Sequence, residues 1–320
     1  MNVKYEMTFK RCALAGAMAL GLAATAQAAA AAEAPQCEQV RLTDPGWTDI
    51  SVTNALAGTV LRGLGYRPSV DLLAVPIGFE SLKKGEIDVF LGNWMPAQQG
   101  FIDKYGPELD LVRSNLEGAK FTLAVPTYVY DSGITTFADL GSRGDDFRQR
   151  IYGIDPGAPA NSLLQGMIDK GDFGLEGWKL IESGEQAMLS QVSRAVRKNE
   201  SIVFLGWAPH PMNLRVDMRY LAGGDEYFGP NYGGASIHTV TRKGYSAECP
   251  NVGTLLSNLE FSLDMESAIM GAILEDGKKA DLAASEWLKA NPEVLAGWLE
   301  NVTTRDGQPG LAAVQNHLGL

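Results

Sequence analysis

Gln39-Val-Arg-Leu-Thr-Asp-Pro-Gly-Trp-Thr-Asp49 and the run that follows it decide the fold. Gln39 to Asp44 reads as a strand, Pro45-Gly46 as a turn, and Val52, Leu56, Val60 and Leu61 recur at helical spacing. Working outward, strand Val70 to Val75, a helix around Phe79 and Leu82, and strand Ile87 to Leu91 complete a βαβαβ half-sheet. Lys120 to Pro126 reads as a strand leaving that half. A second set follows: strand Arg150 to Ile154, helix Ser162 to Ile168, strand Trp178 to Ile181, helix Gln186 to Arg197 and strand Ser201 to Leu205. The Gly/Pro-rich Phe228 to Gly234 then precedes strand Ile237 to Thr241 and a long helical tail from Val252 to the end. Such alternation predicts an α/β chain of mostly parallel sheets in two lobes. Residues 29–122 and 236–320 are expected to form the first lobe and 123–235 the second, with two crossings suited to hinge closure.

Lys4, Lys10 and Arg11 precede an apolar Ala/Leu/Gly run that ends at Ala26-Gln27-Ala28, the pattern a signal peptidase accepts. Residues 1–28 are therefore read as a signal peptide, and the run is short of the roughly 20 residues that span a bilayer. Cys12 lacks the small-residue context of a lipid-attachment cysteine. Cleavage removes Lys4, Lys10, Arg11 and Glu6, so the formal net charge goes from -11 to -13. Nucleic acid is excluded as a natural partner by that sign. The acidic balance otherwise reads as a solubility feature, and a monomer is expected.

Of the three cysteines, Cys37 and Cys249 survive cleavage, and an exported chain keeps them where disulfides persist. A Cys37–Cys249 bridge is expected, two buried thiols being the alternative. It would tie the start of the first lobe to the segment just after the chain returns to it. No Cys-x-x-Cys or His-x-x-x-His spacing occurs, so neither a metal nor another cofactor is expected.

Trp47, Trp94 and Trp207 each follow the carboxyl end of a predicted strand, the edge where open α/β sheets hold ligands. Trp178, Trp287 and Trp298 stand elsewhere and read as packing. Three indoles from two lobes converging on one point would suit a quaternary ammonium group, whose methyls hide its charge from hydrogen bonds and leave ring quadrupoles as partners. Asp49 is the candidate counter-charge; its alternative role is capping the helix it precedes. Facing the crevice, it would accept a hydroxyl and repel a ligand carboxylate, which favours choline over betaine. Asn161 opens the helix after strand Arg150 to Ile154, where capping and ligand contact are both open. His210 reads as a structural hydrogen-bonder.

Asp44-Pro-Gly-Trp-Thr-Asp49, Gly92-Asn-Trp-Met-Pro96, Leu123-Ala-Val-Pro-Thr-Tyr128 and Gly206-Trp-Ala-Pro-His-Pro211 together resemble the substrate-binding proteins of choline and glycine betaine ABC transporters, most closely the choline-binding type. The resemblance covers nearly the whole chain after residue 28. It implies a two-lobed periplasmic binding protein of the type II, Venus-flytrap kind, and handover of ligand to an inner-membrane permease. It also implies box walls at Trp47, Trp94 and Trp207, a hydroxyl acceptor at Asp49 and a polar contact from Asn161. Where the family leads one to expect tyrosine, Phe121 keeps a π face and loses a hydroxyl. The Cys37 and Cys249 pair resembles the family's disulfide.

The rival ligands are glycine betaine, proline betaine and carnitine, whose carboxylate would want amides or a basic side chain. A choline-ester hydrolase is the rival from another class. No Gly-x-Ser-x-Gly elbow, His-Glu-x-x-His or Walker A loop is found, so an enzyme is not expected. A sensor that shows its ligand to a receptor would share every feature above.

Overall fold

In the computed structural model, Met1 and residues 32–320 are described. Apart from Met1, the expected signal peptide, with its cleavage site and Cys12, lies outside the described residues. The strands are β1 (Gln39–Asp44), β2 (Arg67–Leu72), β3 (Val89–Met95), β4 (Leu109–Pro126), β5 (Arg150–Tyr152), β6 (Lys179–Ile181), β7 (Val203–Ala208), β8 (Met218–Tyr220) and β9 (Gly234–Arg242). The longer helices are α1 (Thr48–Gly63), α2 (Val75–Lys84), α3 (Gln99–Tyr105), α4 (Pro159–Lys170), α5 (Glu185–Arg197), α6 (Pro250–Asn258), α7 (Leu263–Leu274), α8 (Ala280–Ala290) and α9 (Gly310–Leu318).

The strands form one sheet in the order β2-β1-β3-β9-β4-β7-β5-β6, with β8 paired to β4. Its two flanks are parallel, as the βα pattern predicts: β1 with β2 and β3, and β5 with β6 and β7. Its middle is antiparallel, a correction to the expectation of mostly parallel sheets: β9 lies between β3 and β4, and β4 pairs with β7 and β8. β4 explains the layout. Over Leu109 to Lys120 it pairs with β9, and from Lys120 onward with β7, so Lys120 faces Gly234 on one edge and Ala208 on the other. One strand thus joins the two parallel flanks of the sheet, with β9 beside its first part.

β3 and β7 are buried nearly throughout, as a strand covered on both faces must be. β2 instead is an edge: Val70 and Leu72 are exposed, and the strand lies earlier than expected, over Arg67–Leu72. Val75 belongs to α2, because Pro76 in the first turn suits a helix start. β3 likewise runs later than expected, to Met95. Trp178 precedes β6 and packs on Phe147, with ring centroids 5.9 Å apart. Trp298 packs edge-on to Phe261.

α1 is buried on almost every side, its Val52, Leu56, Val60 and Leu61 fully so, because α7, α8 and α9 from the end of the chain cover the face that the sheet does not. The continuous helical tail is therefore corrected to separate helices. Gly277, at φ +66, falls between α7 and α8, and Asn291-Pro292 follows α8, each a position that ends a helix. Cys37 and Cys249 form a disulfide, with Cα atoms 5.6 Å apart across a sequence separation of 212. It fastens the residues before β1 to those before α6.

Candidate ligand-binding site

Where β1 ends, Asp44 shapes the turn. Its carboxylate accepts the backbone N–H of Gly46 at 2.7 Å and of Trp47 at 3.2 Å, and the Ser51 hydroxyl at 2.7 Å. Gly46 takes φ +96, a conformation open to glycine. Asp44, rather than Asp49, holds the entry to α1, a role that Asp-Pro-Gly in the sequence could have suggested. Trp47 occupies the cap position without a capping bond from its side chain, and Asp49 stands inside the first turn.

Asp49 turns toward a cavity. It is 1% exposed, accepts the Trp94 indole N–H at 3.1 Å through one oxygen, and leaves the other without a hydrogen-bond partner. Burial pushes its carboxyl up to about 7, with the charges of Glu185 and Asp44 adding to the effect. Behind it Glu266 on α7 is wholly buried and held well above the usual carboxylate range, first by burial and then by Asp49. The surroundings are short of positive charge, not of negative.

The cavity is walled by Trp47, Trp94, Phe121 and Trp207, each under a tenth exposed. Phe121 and Trp207 sit opposite each other in the β4–β7 register, so their side chains share one face of the sheet. Phe121 stands edge-on to Trp94 (6.0 Å, 85°) and to Phe228 (5.3 Å, 77°). Trp94 and Trp207 occupy matching places: each is near the end of a buried strand, and each is followed after one residue by a cis proline, Pro96 and Pro209. Ile154, Ala158, Pro159 and Ala160 close the far side. Apart from the indole N–H groups, Asp49 and Gln98 bring the polar atoms among the lining residues, and none of these residues is a lysine or arginine. Gln98, which donates to the Gly92 carbonyl at 3.1 Å, was not anticipated from sequence.

Asn161 is not among the lining residues. Its oxygen accepts the Ile154 N–H at 3.0 Å and its amide donates to the Ile154 and Asp155 carbonyls and to Glu182 Oε1. It sits in the first turn of α4, where it makes no capping bond, and braces the loop that brings Ala158 and Pro159 to the cavity. Its polar atoms are spent on its own lobe. His210 also lies off the cavity. Its ring meets Trp207 edge-on at 4.8 Å and its Nε2 is 3.2 Å from Glu185 Oε1. Among the described residues no cluster of His, Cys, Asp and Glu is arranged to hold a metal, and no helix is long and apolar enough to cross a membrane.

A protein in complex with choline, described as an ABC-transporter choline binding protein, shares 50% identity and superposes with a TM-score of 0.88, over 90% of this chain and 100% of that one. A lactococcal OpuAC in its closed, glycine betaine-bound conformation is 26% identical, with a TM-score of 0.75 over 82% and 99% of the two chains. The glycine betaine/carnitine transport binding protein GbuC of Listeria monocytogenes is 30% identical over 176 residues, 54% of this chain and 57% of that protein. Residues 38–290 match the profile of a family described as the substrate binding domain of the ABC-type glycine betaine transport system. That match takes in both flanks of the sheet and all four aromatic walls, and the chain belongs to this family of two-lobed transport proteins, which bind substrate rather than convert it.

Proposed function

We propose that the protein captures choline between its lobes and delivers it to an ABC permease in the inner membrane. The observation that carries this is the pairing of four aromatic walls with a carboxylate that has an oxygen free, in a cavity without a basic side chain. At about 2 kcal/mol for each desolvated ring, Trp47, Trp94, Trp207 and Phe121 supply about 8 kcal/mol gross toward a trimethylammonium group. Micromolar binding needs about 8 kcal/mol net, so methyl burial and the Asp49 charge must offset the costs of association and closure. The Asp49 oxygen without a partner is the acceptor this reading assigns to the ligand hydroxyl. Under this reading residues 1–28 are removed on export, the mature chain works in the periplasm as a monomer, and the lobes are 29–122 with 236–320 and 123–235. The change of partner at Lys120 and Gly234 supports those boundaries.

One feature favours a second ligand. α4 starts at the cavity without a side-chain cap, and the positive end of a helix suits the carboxylate of glycine betaine. Asp49 in the same cavity opposes it. Calorimetric titration of the ligand-stripped protein with choline and then glycine betaine decides between them: tighter choline binding is expected, and tighter betaine binding would mean that α4 outweighs Asp49.

A further inference from the structure

Glu185 opens α5 in the second lobe, and its carboxylate reaches across to the first. It accepts the Thr48 backbone N–H at 2.9 Å through one oxygen and the Thr48 hydroxyl at 2.6 Å through the other. Thr48 is the first residue of α1 and stands between Trp47 and Asp49. The cap residue Trp47 offers α1 no side-chain acceptor and Asp44 takes the N–H groups of Gly46 and Trp47, so the acceptor for the Thr48 N–H comes from the opposite lobe. His210 supplies the third contact. Its Nδ1 accepts the Met212 N–H at 2.8 Å, which leaves the proton on Nε2, where it donates to Glu185 Oε1 at 3.2 Å. Glu185 and His210 are each 3% exposed. A second cross-lobe pair, Arg215 with Glu275, is half exposed and contributes little.

We infer that Glu185 is a cation-gated latch: it caps α1 only when the lobes are together, and it brings a further negative charge beside the cavity as they meet. This rests on the reading of the ligand as a quaternary ammonium ion. In the empty protein, closure places the Glu185 carboxylate near Asp44, Asp49 and Asp155, and each of those three carboxyls is held above its ordinary range with Glu185 among the causes. Like charges gathered out of water oppose closure. A bound cation turns the same charge into an attraction, and the contacts with Thr48 then hold the lobes shut. Glu185 is a positioning residue, since it touches helix and histidine and is absent from the lining of the cavity.

The test compares wild type, Glu185→Gln and Thr48→Val, following choline binding by stopped-flow tryptophan fluorescence and lobe closure by small-angle scattering. For Glu185→Gln the dissociation rate is expected to rise about 10- to 100-fold, the range for losing hydrogen bonds to a charged group. The association rate should stay within about twofold, since a latch acts after encounter, and ligand-free melting should not fall. The difference in radius of gyration between empty and loaded protein should shrink. Thr48→Val keeps the backbone donor and should show a smaller rise in the same rate, non-additive with Glu185→Gln in the double variant. Dissociation rates of both variants within about twofold of wild type would overturn the latch. Failure of Glu185→Gln to fold would leave the Thr48→Val rate to decide. If wild type binds neither choline nor glycine betaine, the ligand reading fails, and the gating with it.

Discussion

Asp49 lies at the centre of the site's response to acid. Asp49 is raised from an ordinary 3.8 to about 7, so the folded, ligand-free protein holds a proton there that the unfolded chain would release. Its contribution to stability is present below the unfolded value and is lost as pH rises through about 7, and Glu266 acts in the same direction. Ligand-free melting temperature is thus expected to fall between pH 6 and pH 8. Choline works the other way, because a cation prefers the carboxylate: its affinity should rise over that interval, by up to about tenfold per unit below the transition. Titrations at both pH values check this, and Asp49→Asn should lose the dependence on pH along with about tenfold or more of choline affinity. That Asp49 faces a crevice was one of two readings open in the sequence. Its position two residues past a strand-end tryptophan pointed that way, whereas its indole partner Trp94 lies 45 residues away and left no local sign. Glu185 was more deeply hidden, since its partner Thr48 is 137 residues distant. No spacing rule links a glutamate that opens one helix to a threonine that opens another.

The elements were legible to differing degrees. β3 and β7 announced themselves as short apolar runs, and the tryptophans near their ends followed. β4 did so only in its last third: from Leu109 to Gly118 buried residues mix irregularly with charges, and shifts of register against β9 break the alternation. Sequence therefore showed a strand of seven residues, Lys120 to Pro126, where the protein has one of 18. The tail helices were merged although Gly277 and Asn291-Pro292 mark two of their breaks in the sequence; only the break between α6 and α7, where Leu259 and Phe261 continue the apolar run, carries no such mark. Gly233, just before β9, shows how closely the two crossings approach. A Cβ there would lie 1.8 Å from the Phe121 carbonyl oxygen, and the residue has φ +70. Gly233→Ala is expected to cost about 3 kcal/mol of stability. It should also weaken choline binding, because the backbone that carries the Phe121 wall must move. Denaturant unfolding and calorimetry on the same preparation check both effects; an unchanged midpoint would mean the crossing yields more easily than its packing indicates.

On the scale of the molecule, the disulfide and the sheet divide the work. Cys37–Cys249 does not line the cavity, and it closes a loop long enough to stabilise by about 5 kcal/mol in the chain-entropy account. Replacing both cysteines by serine should lower the melting temperature markedly while leaving choline affinity, measured well below that temperature, within about twofold. A large loss of affinity would show that the bridge also shapes the site. The sheet has a different consequence. β4 carries about 60 Å of strand through both lobes, bonded on one edge or the other along its length. Jaws joined by floppy tethers rattle, but jaws cut from one continuous leaf flex. Their resting gap is then a property of the leaf's stiffness, and the grip on a small cargo is set against elastic recoil as well as against water.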